Sequence, residues 1–106
     1  MAKLPISFRN RNRTAKSFRT QFAKLPVAIQ DATRDTAIQF DRDPFHTALR
    51  HHKLEDRDGA GHLSGSFSVS ITMQYRAIYV ITEDGVNVWY WIGTHAAYKI
   101  FTRSKR

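Results

Sequence analysis

The sequence predicts an α+β fold: a helical hairpin followed by a meander of antiparallel strands. Three observations carry this. Residues 67–98, FSVSITMQYRAIYVITEDGVNVWYWIGTHAAY, alternate apolar and polar side chains around Asp84-Gly85. Upstream, Phe18, Phe22 and Leu25 recur at helical spacing, and a second stripe follows Pro26. Finally, the polar stretch Glu55–Gly65 separates the helical half from the strand half and reads as a loop.

In chain order, Pro5-Ile6-Ser7-Phe8 suits a short edge strand. Thr14 can cap a helix starting at Ala15, which presents Phe18, Phe22 and Leu25 along one side. Pro26 pre-sets the first turn of a second helix, whose Ile29, Ala32, Thr36, Ala37 and Phe40 point inward until Asp43-Pro44 ends it. So tight a connection predicts a hairpin covering one face of the sheet. Phe45 to Leu49 should form a helical turn held by Phe45 and Leu49.

The strands can be threaded. Asp-Gly between apolar runs marks a tight hairpin, because both residues tolerate positive φ. A two-residue turn pairs Glu83 with Val86, Ile81 with Val88, Tyr79 with Tyr90, Ala77 with Ile92, Val80 with Trp89, Ile78 with Trp91 and Arg76 with Gly93. Before it, Phe67, Val69 and Ile71 alternate with Ser66, Ser68, Ser70 and Thr72. A three-residue loop, Thr72-Met73-Gln74, pairs Ser70 with Arg76 and keeps the apolar residues together; a slip by one would move every side chain to the other face. One face is then apolar. The second carries Ser68, Ser70, Arg76, Trp89, Trp91 and, just past Gly93, His95. Ala96 to Phe101 suits one more helical turn, placing Tyr98 near His95, and the final basic residues 102–106 should form a mobile tail.

With 106 residues, one domain spanning 1–106 and one modest core are expected. The 42% hydrophobic content is too high for a disordered chain. No apolar run approaches the roughly 20 residues that span a bilayer. The start is basic and interrupted, unlike a signal peptide. Cysteine is absent, which rules out disulfides and thiolate chemistry and suits the cytoplasm. His51 and His52 are adjacent and so point apart, and no metal or other cofactor is expected.

Charge narrows the partners. Seventeen Lys and Arg against nine Asp and Glu give +8, which favours a polyanion or an acidic protein segment. The first 24 residues contain Lys3, Arg9, Arg11, Arg13, Lys16, Arg19 and Lys24 and no acid, while seven of the nine acids fall between Asp31 and Asp58.

Leu25-Pro26, Asp43-Pro44-Phe45, Leu49 with Lys53-Leu54, Tyr75-Arg76-Ala77-Ile78-Tyr79, and Trp91-Ile92-Gly93-Thr94-His95 with Tyr98 stand in an order that resembles the RelE/ParE superfamily. These are toxins of bacterial toxin–antitoxin systems, and the likeness covers nearly the whole chain. It implies a helical hairpin on a twisted antiparallel sheet with a short C-terminal helical turn, and a cognate antitoxin as partner. Its ribonuclease branch implies a metal-independent endoribonuclease that cuts mRNA on the ribosome and so inhibits translation. Carried onto this chain, Arg76 would stabilise charge on the phosphate, His95 would move the proton, and Tyr98 would orient the nucleotide. Lys53, Arg50, Ser68 and Ser70 would contact RNA. Several family nucleases carry a cation where this chain has Ser68 and Ser70; serine offers a hydrogen bond but no charge. The alternative is a binding-only toxin that inhibits DNA gyrase, or a catalytically faded relative that mainly binds its antitoxin.

Overall fold

A computed structural model describes residues 11–104. The elements are β1 (Asn12–Thr14), α1 (Lys16–Ala23), α2 (Val27–Arg42), a 3-10 turn (Thr47–Leu49), β2 (His52–Lys53), β3 (Phe67–Ser70), β4 (Tyr75–Ile81), β5 (Asn87–Thr94) and α3 (His95–Thr102). The five strands form one sheet in the order β1-β5-β4-β3-β2. The fold is α+β, as the sequence predicts, with one correction to the sheet. It is mixed, because β1 runs parallel to β5, Asn12 beside Asn87 and Thr14 beside Trp89. The edge strand expected at Pro5–Phe8 lies outside the described residues.

Parallel pairing of β1 is stitched by side chains that a hydrophobicity pattern does not register. The Asn12 carboxamide oxygen accepts from Trp89 Nε1 at 2.9 Å and from Asn87 Nδ2 at 3.2 Å. Its nitrogen donates to Asp41 at 3.0 Å. Thr14, expected to cap α1, instead accepts from Arg19 through its carbonyl and its hydroxyl. Ala15 occupies the N-cap position without a side-chain hydrogen bond, and α1 begins one residue later than expected.

The hairpin of α1 and α2 covers one face of the sheet unevenly. Phe18 packs on Ala77 and Ile92, with Phe22, Leu25, Ile71 and Trp89 around them. From α2 only Phe40 is fully buried, against Leu49, Val69 and Tyr79. Ala37, expected inward, is exposed. The helix leans away and leaves a cavity of about 230 Å³ lined by Phe18, Thr36, Ala37, Ile71, Ala77 and Trp89.

The β3–β4 register is the expected one: Ser70 opposes Arg76, Ser68 opposes Ile78, and the Ile71 amide donates to the Tyr75 carbonyl. The β4–β5 register is as expected at one end only. Arg76 opposes Gly93, Ala77 opposes Ile92 and Ile78 opposes Trp91, but Tyr79 opposes Trp89 and Val80 opposes Val88. The turn explains the change. Thr82 N donates to Val86 O, so Glu83, Asp84 and Gly85 form a three-residue loop, with Gly85 at φ 82°. The Thr82 hydroxyl also reaches the Asp84 carboxylate and the Val86 amide, filling the turn's polar positions. An extra residue on β5, Tyr90, then restores the register through a β-bulge between the Tyr79 and Ile78 pairings.

The bulge also re-aims the tryptophans. Trp89, expected beside Trp91, lies under the helices, its ring 4.5 Å from Tyr79 and 5.2 Å from Phe40. Trp91 stays on the second face, stacked on Phe101 at 5.1 Å, with Tyr90 next to it. That face is therefore covered rather than open. Leu54, Ile78, Trp91 and Tyr98 form a second core, closed by α3. The helix is longer than the single turn expected, capped by the Thr94 hydroxyl accepting from Ala97 N at 3.1 Å. The polar loop pins its far end: Gly61 N donates to Phe101 O at 2.7 Å, and Arg57 donates to Thr102 O at 3.1 Å. Ser104 also donates to Asp58 O at 2.9 Å, so the tail expected to start at 102 is held at least that far.

Two neighbouring residues depart from expectation together. Phe45, expected to hold the short helical turn, is 77% exposed; Leu49 is buried and does that work. Phe45 instead lies flat on the His51 ring at 5.0 Å, and Phe40, Phe67 and Tyr79 surround the rest of the imidazole. His51 Nδ1–H donates to Pro44 O at 2.8 Å, which leaves Nε2 to accept from the Tyr79 hydroxyl at 2.7 Å. This neutral imidazole is satisfied at both nitrogens, and burial lowers its pKa more than the Pro44 carbonyl raises it. Burial also holds the Tyr79 hydroxyl protonated well above the usual phenol range.

A stability prediction follows from the sign of the His51 shift. Above the unfolded imidazole's pKa of roughly 6.5, neither state is charged and the full stability is present. As pH falls through that value, the unfolded chain gains a proton that the folded chain refuses, and stability is lost. Melting temperature should therefore fall more between pH 7.5 and 5.5 for the wild type than for His51→Gln. Equal slopes would show that His51 does not carry the dependence.

Candidate nucleic-acid site

Arg76 is placed by β4 and aimed by two neighbours. Alternation puts it on the face away from α1 and α2, one position from Ala77, which packs under them. Its Nη1 donates to Ser68 Oγ at 2.8 Å, and its guanidinium carbon lies 4.9 Å from the centre of the Tyr98 ring. The side chain is half-buried, and none of the ion pairs among the described residues involves it. A guanidinium this far from bulk water normally takes a carboxylate. Among the described residues its partners are the Ser68 hydroxyl and the Tyr98 ring rather than a carboxylate.

His95 opens α3 where β5 ends. Its amide donates to the Gln74 carbonyl at 2.7 Å, which ties the start of the helix to the β3–β4 loop. Its ring stacks on Tyr98 at 5.8 Å with planes 19° apart. Tyr98 thus touches both Arg76 and His95 and is itself buried. The buried Nδ1 of His95 has no hydrogen-bond partner among the described residues, so the imidazole is not committed to a structural bond on that side. Gly93, opposite Arg76, has no room for a side chain: a Cβ would stand 2.9 Å from the edge of the Trp91 indole.

The remaining expected contacts divide. Ser68 is 0% exposed and Ser70 is buried, so neither hydroxyl stands at the surface as an RNA contact; Ser68 works on Arg76 instead. Lys53 opposes Phe67, and cross-strand partners share a face, so it belongs to the side of Phe67 and Tyr79, away from Arg76. Arg50 is exposed just before β2, with a left-handed φ of 46° that ends the 3-10 turn. Sequence reasoning missed His52. It opposes Ser68, so it shares the face of Arg76, and its Nδ1–H donates to Arg50 O at 2.9 Å. Register was the signal available: Lys53 and His52 alternate, and only one of them can face the site.

Both the sheet with its paired helices and the C-terminal helix closing over a cationic face define a class. The fold is that of the RelE/ParE superfamily of toxins from toxin–antitoxin systems. A chain of the toxin–antitoxin complex RelBE2 from Mycobacterium tuberculosis is 25% identical. It matches 79% of this chain and 95% of its own, with a TM-score of 0.59. YafQ from E. coli strain BL21(DE3) shares the fold at 15% identity, over 84% of this chain and 97% of its own, with a TM-score of 0.62. A chain of the archaeal RelE–RelB complex from Pyrococcus horikoshii is 17% identical over 81% of this chain and 94% of its own, with a TM-score of 0.60. No protein-family model and no curated protein matches the sequence. Among the described residues, no helix is long and apolar enough to cross a membrane.

Proposed function

We propose that this protein is the toxin of a toxin–antitoxin pair and acts in the cytoplasm as a metal-independent endoribonuclease, cutting mRNA on the ribosome. The single observation that carries the reading is Arg76: a half-buried guanidinium without a carboxylate, held by Ser68 and Tyr98 beside the uncommitted ring of His95. The solved relatives supply the context, since two of the three described above are toxin–antitoxin complexes.

The chemistry needs no metal because the nucleophile belongs to the substrate. The ribose 2′-oxygen attacks the adjacent phosphorus while its proton passes to a base, and the bond to the 5′-oxygen breaks. The products are a 2′,3′-cyclic phosphate and a 5′-hydroxyl. Arg76 faces the phosphate oxygens, where negative charge grows in the transition state. His95 in its protonated form gives the departing 5′-oxygen its proton, a role worth roughly two to four orders of magnitude in rate. Tyr98 keeps both groups in place. The ribosome would hold the message with the 2′-oxygen in line, which replaces part of the acid–base power by orientation.

The cognate partner expected from the charge is an acidic or amphipathic antitoxin segment. Arg11, Arg13, Lys16, Arg19 and Lys24 are all exposed along β1 and α1, where opposite charge would speed association at low salt.

Primer extension on mRNA translated in the presence of the purified protein tests the reading. Cuts that persist in EDTA and disappear when the antitoxin is added are expected. Intact mRNA with failed gyrase supercoiling would move the assignment to the gyrase-inhibiting branch. Intact mRNA with normal supercoiling would leave only a binding protein.

A further inference from the structure

The structure assigns Ser68 the role of positioning residue for Arg76: its buried hydroxyl fixes the guanidinium in the orientation that receives the phosphate. The inference rests on the nuclease reading for its catalytic consequence but not for its geometry.

Three serines line β3 and its approach, and their surroundings differ. Ser66 is fully buried and its hydroxyl is engaged by the Leu63 carbonyl and the Tyr90 hydroxyl, which is ordinary loop closure. Ser70 stands directly opposite Arg76 in the ladder, yet the arginine does not bond to it. Arg76 reaches diagonally, past its own cross-strand partner, to the hydroxyl of Ser68. Diagonal neighbours on adjacent strands sit about 7–8 Å apart at Cα, so a long side chain spans the gap only when it lies down along the sheet. The guanidinium is thereby kept beneath the Tyr98 ring, 4.9 Å from its centre, rather than extended to solvent.

Two restraints of different kind result. The aromatic face fixes the plane near which the cation rests but leaves it free to slide. A directional hydrogen bond at one Nη fixes where along that plane it stops. One of five N–H donors is spent on Ser68. Those left over include a second edge of the fork, suited to paired oxygens of a phosphate. Serine suits this duty: its hydroxyl is held away from solvent, and a cation at this position would repel Arg76. The absence of a charged residue at position 68 is then the condition for holding Arg76 against Tyr98.

The test uses Ser68→Ala, which removes the oxygen, and Ser68→Cys, which nearly preserves the volume but accepts a hydrogen bond poorly. In wild type, the Arg76 Nη–H signals in nuclear magnetic resonance should be resolved by slow rotation about the Cζ–Nη bond. In both variants they should collapse to an average. Ribosome-dependent kcat should fall about tenfold to a hundredfold in both, as for a misplaced catalytic group, while KM changes less than about threefold. In an Arg76→Ala background, Ser68→Ala should cost nothing further, because the group it serves is gone. Arg76 signals that stay resolved in Ser68→Ala would overturn the inference. So would a further loss in the double variant, or a Ser68→Cys protein as active as wild type. A wild type that leaves mRNA intact would refute the nuclease reading instead, and the resonance comparison would still decide whether Ser68 holds Arg76.

Discussion

Arg76→Ala should lower mRNA cleavage on the ribosome by about two to three orders of magnitude while the protein stays folded. The effect is expected to be large because, among the described residues of β3 and β4, Arg76 is the one cation. Lys53, which the family likeness puts forward as a phosphate contact, shares its face with Phe67 and Tyr79 on the other side of the sheet. Positions 68 and 70, which the family resemblance puts forward as RNA contacts, are buried serines here. All of the fixed positive charge on β3 and β4 therefore resides in one guanidinium. Arg76→Lys should recover little of the loss. An ammonium keeps the charge, but it cannot lie on Tyr98 as a plane while presenting a forked edge to paired oxygens. Single-turnover cleavage with saturating ribosomes separates this from weakened binding: kcat should fall and the half-saturating concentration should stay close to wild type. Unchanged cleavage in Arg76→Ala would remove Arg76 from the mechanism.

How much of this site was legible in the sequence depended on where the register was anchored. At the Arg76–Gly93 end, both hairpin pairings came out as the strand patterns and loop lengths imply. From Tyr79, three residues further along β4, the second pairing did not. A two-residue Asp-Gly turn and a three-residue loop with Gly85 at positive φ differ by one residue, and both satisfy the same dipeptide signal. The error would have propagated to the site had Tyr90 not been extruded as a bulge, which cancels it. Bulges have no reliable sequence mark, so the face of Trp89 was unreadable although its strand was not. The parallel strand β1 was hidden for a different reason. Asn12-Arg13-Thr14 has no apolar residue, and its place in the sheet depends on the Asn12 side chain meeting Trp89 and Asn87, contacts between residues more than seventy positions apart. Ser68 was legible as a strand residue but not as a support for Arg76, because diagonal reach is a property of the folded side chain rather than of alternation.

Both helices of the hairpin read as amphipathic, yet they are secured very differently, and this gives the largest stability effect expected here. Along α1, Phe18 is buried and Phe22 and Gln21 add contacts, Gln21 by accepting from the Ile92 amide at 2.9 Å, and Leu25 joins them just past the helix. Along α2, Val27 is 71% exposed and Ile38 is 52% exposed, and only Phe40 enters the core. Phe40 meets the edges of three rings at once, those of His51, Tyr79 and Trp89, at 5.2 to 5.6 Å. Phe40→Ala should therefore cost about 3–5 kcal/mol, the transfer energy of the ring plus the void it leaves. The void adjoins the existing cavity of about 230 Å³, so the wall on that side has little to collapse onto. Val27→Ala and Ile38→Ala should each stay within roughly 0.5 kcal/mol, as surface changes do. Urea unfolding measures the three values, and hydrogen exchange locates them. In Phe40→Ala the amides of α2 should lose protection well before those of β4 and β5, because the remaining strand pairing does not depend on that helix. If Phe40→Ala costs no more than the exposed substitutions, α2 is held by contacts other than this ring cluster, and the uneven hairpin described above is wrong.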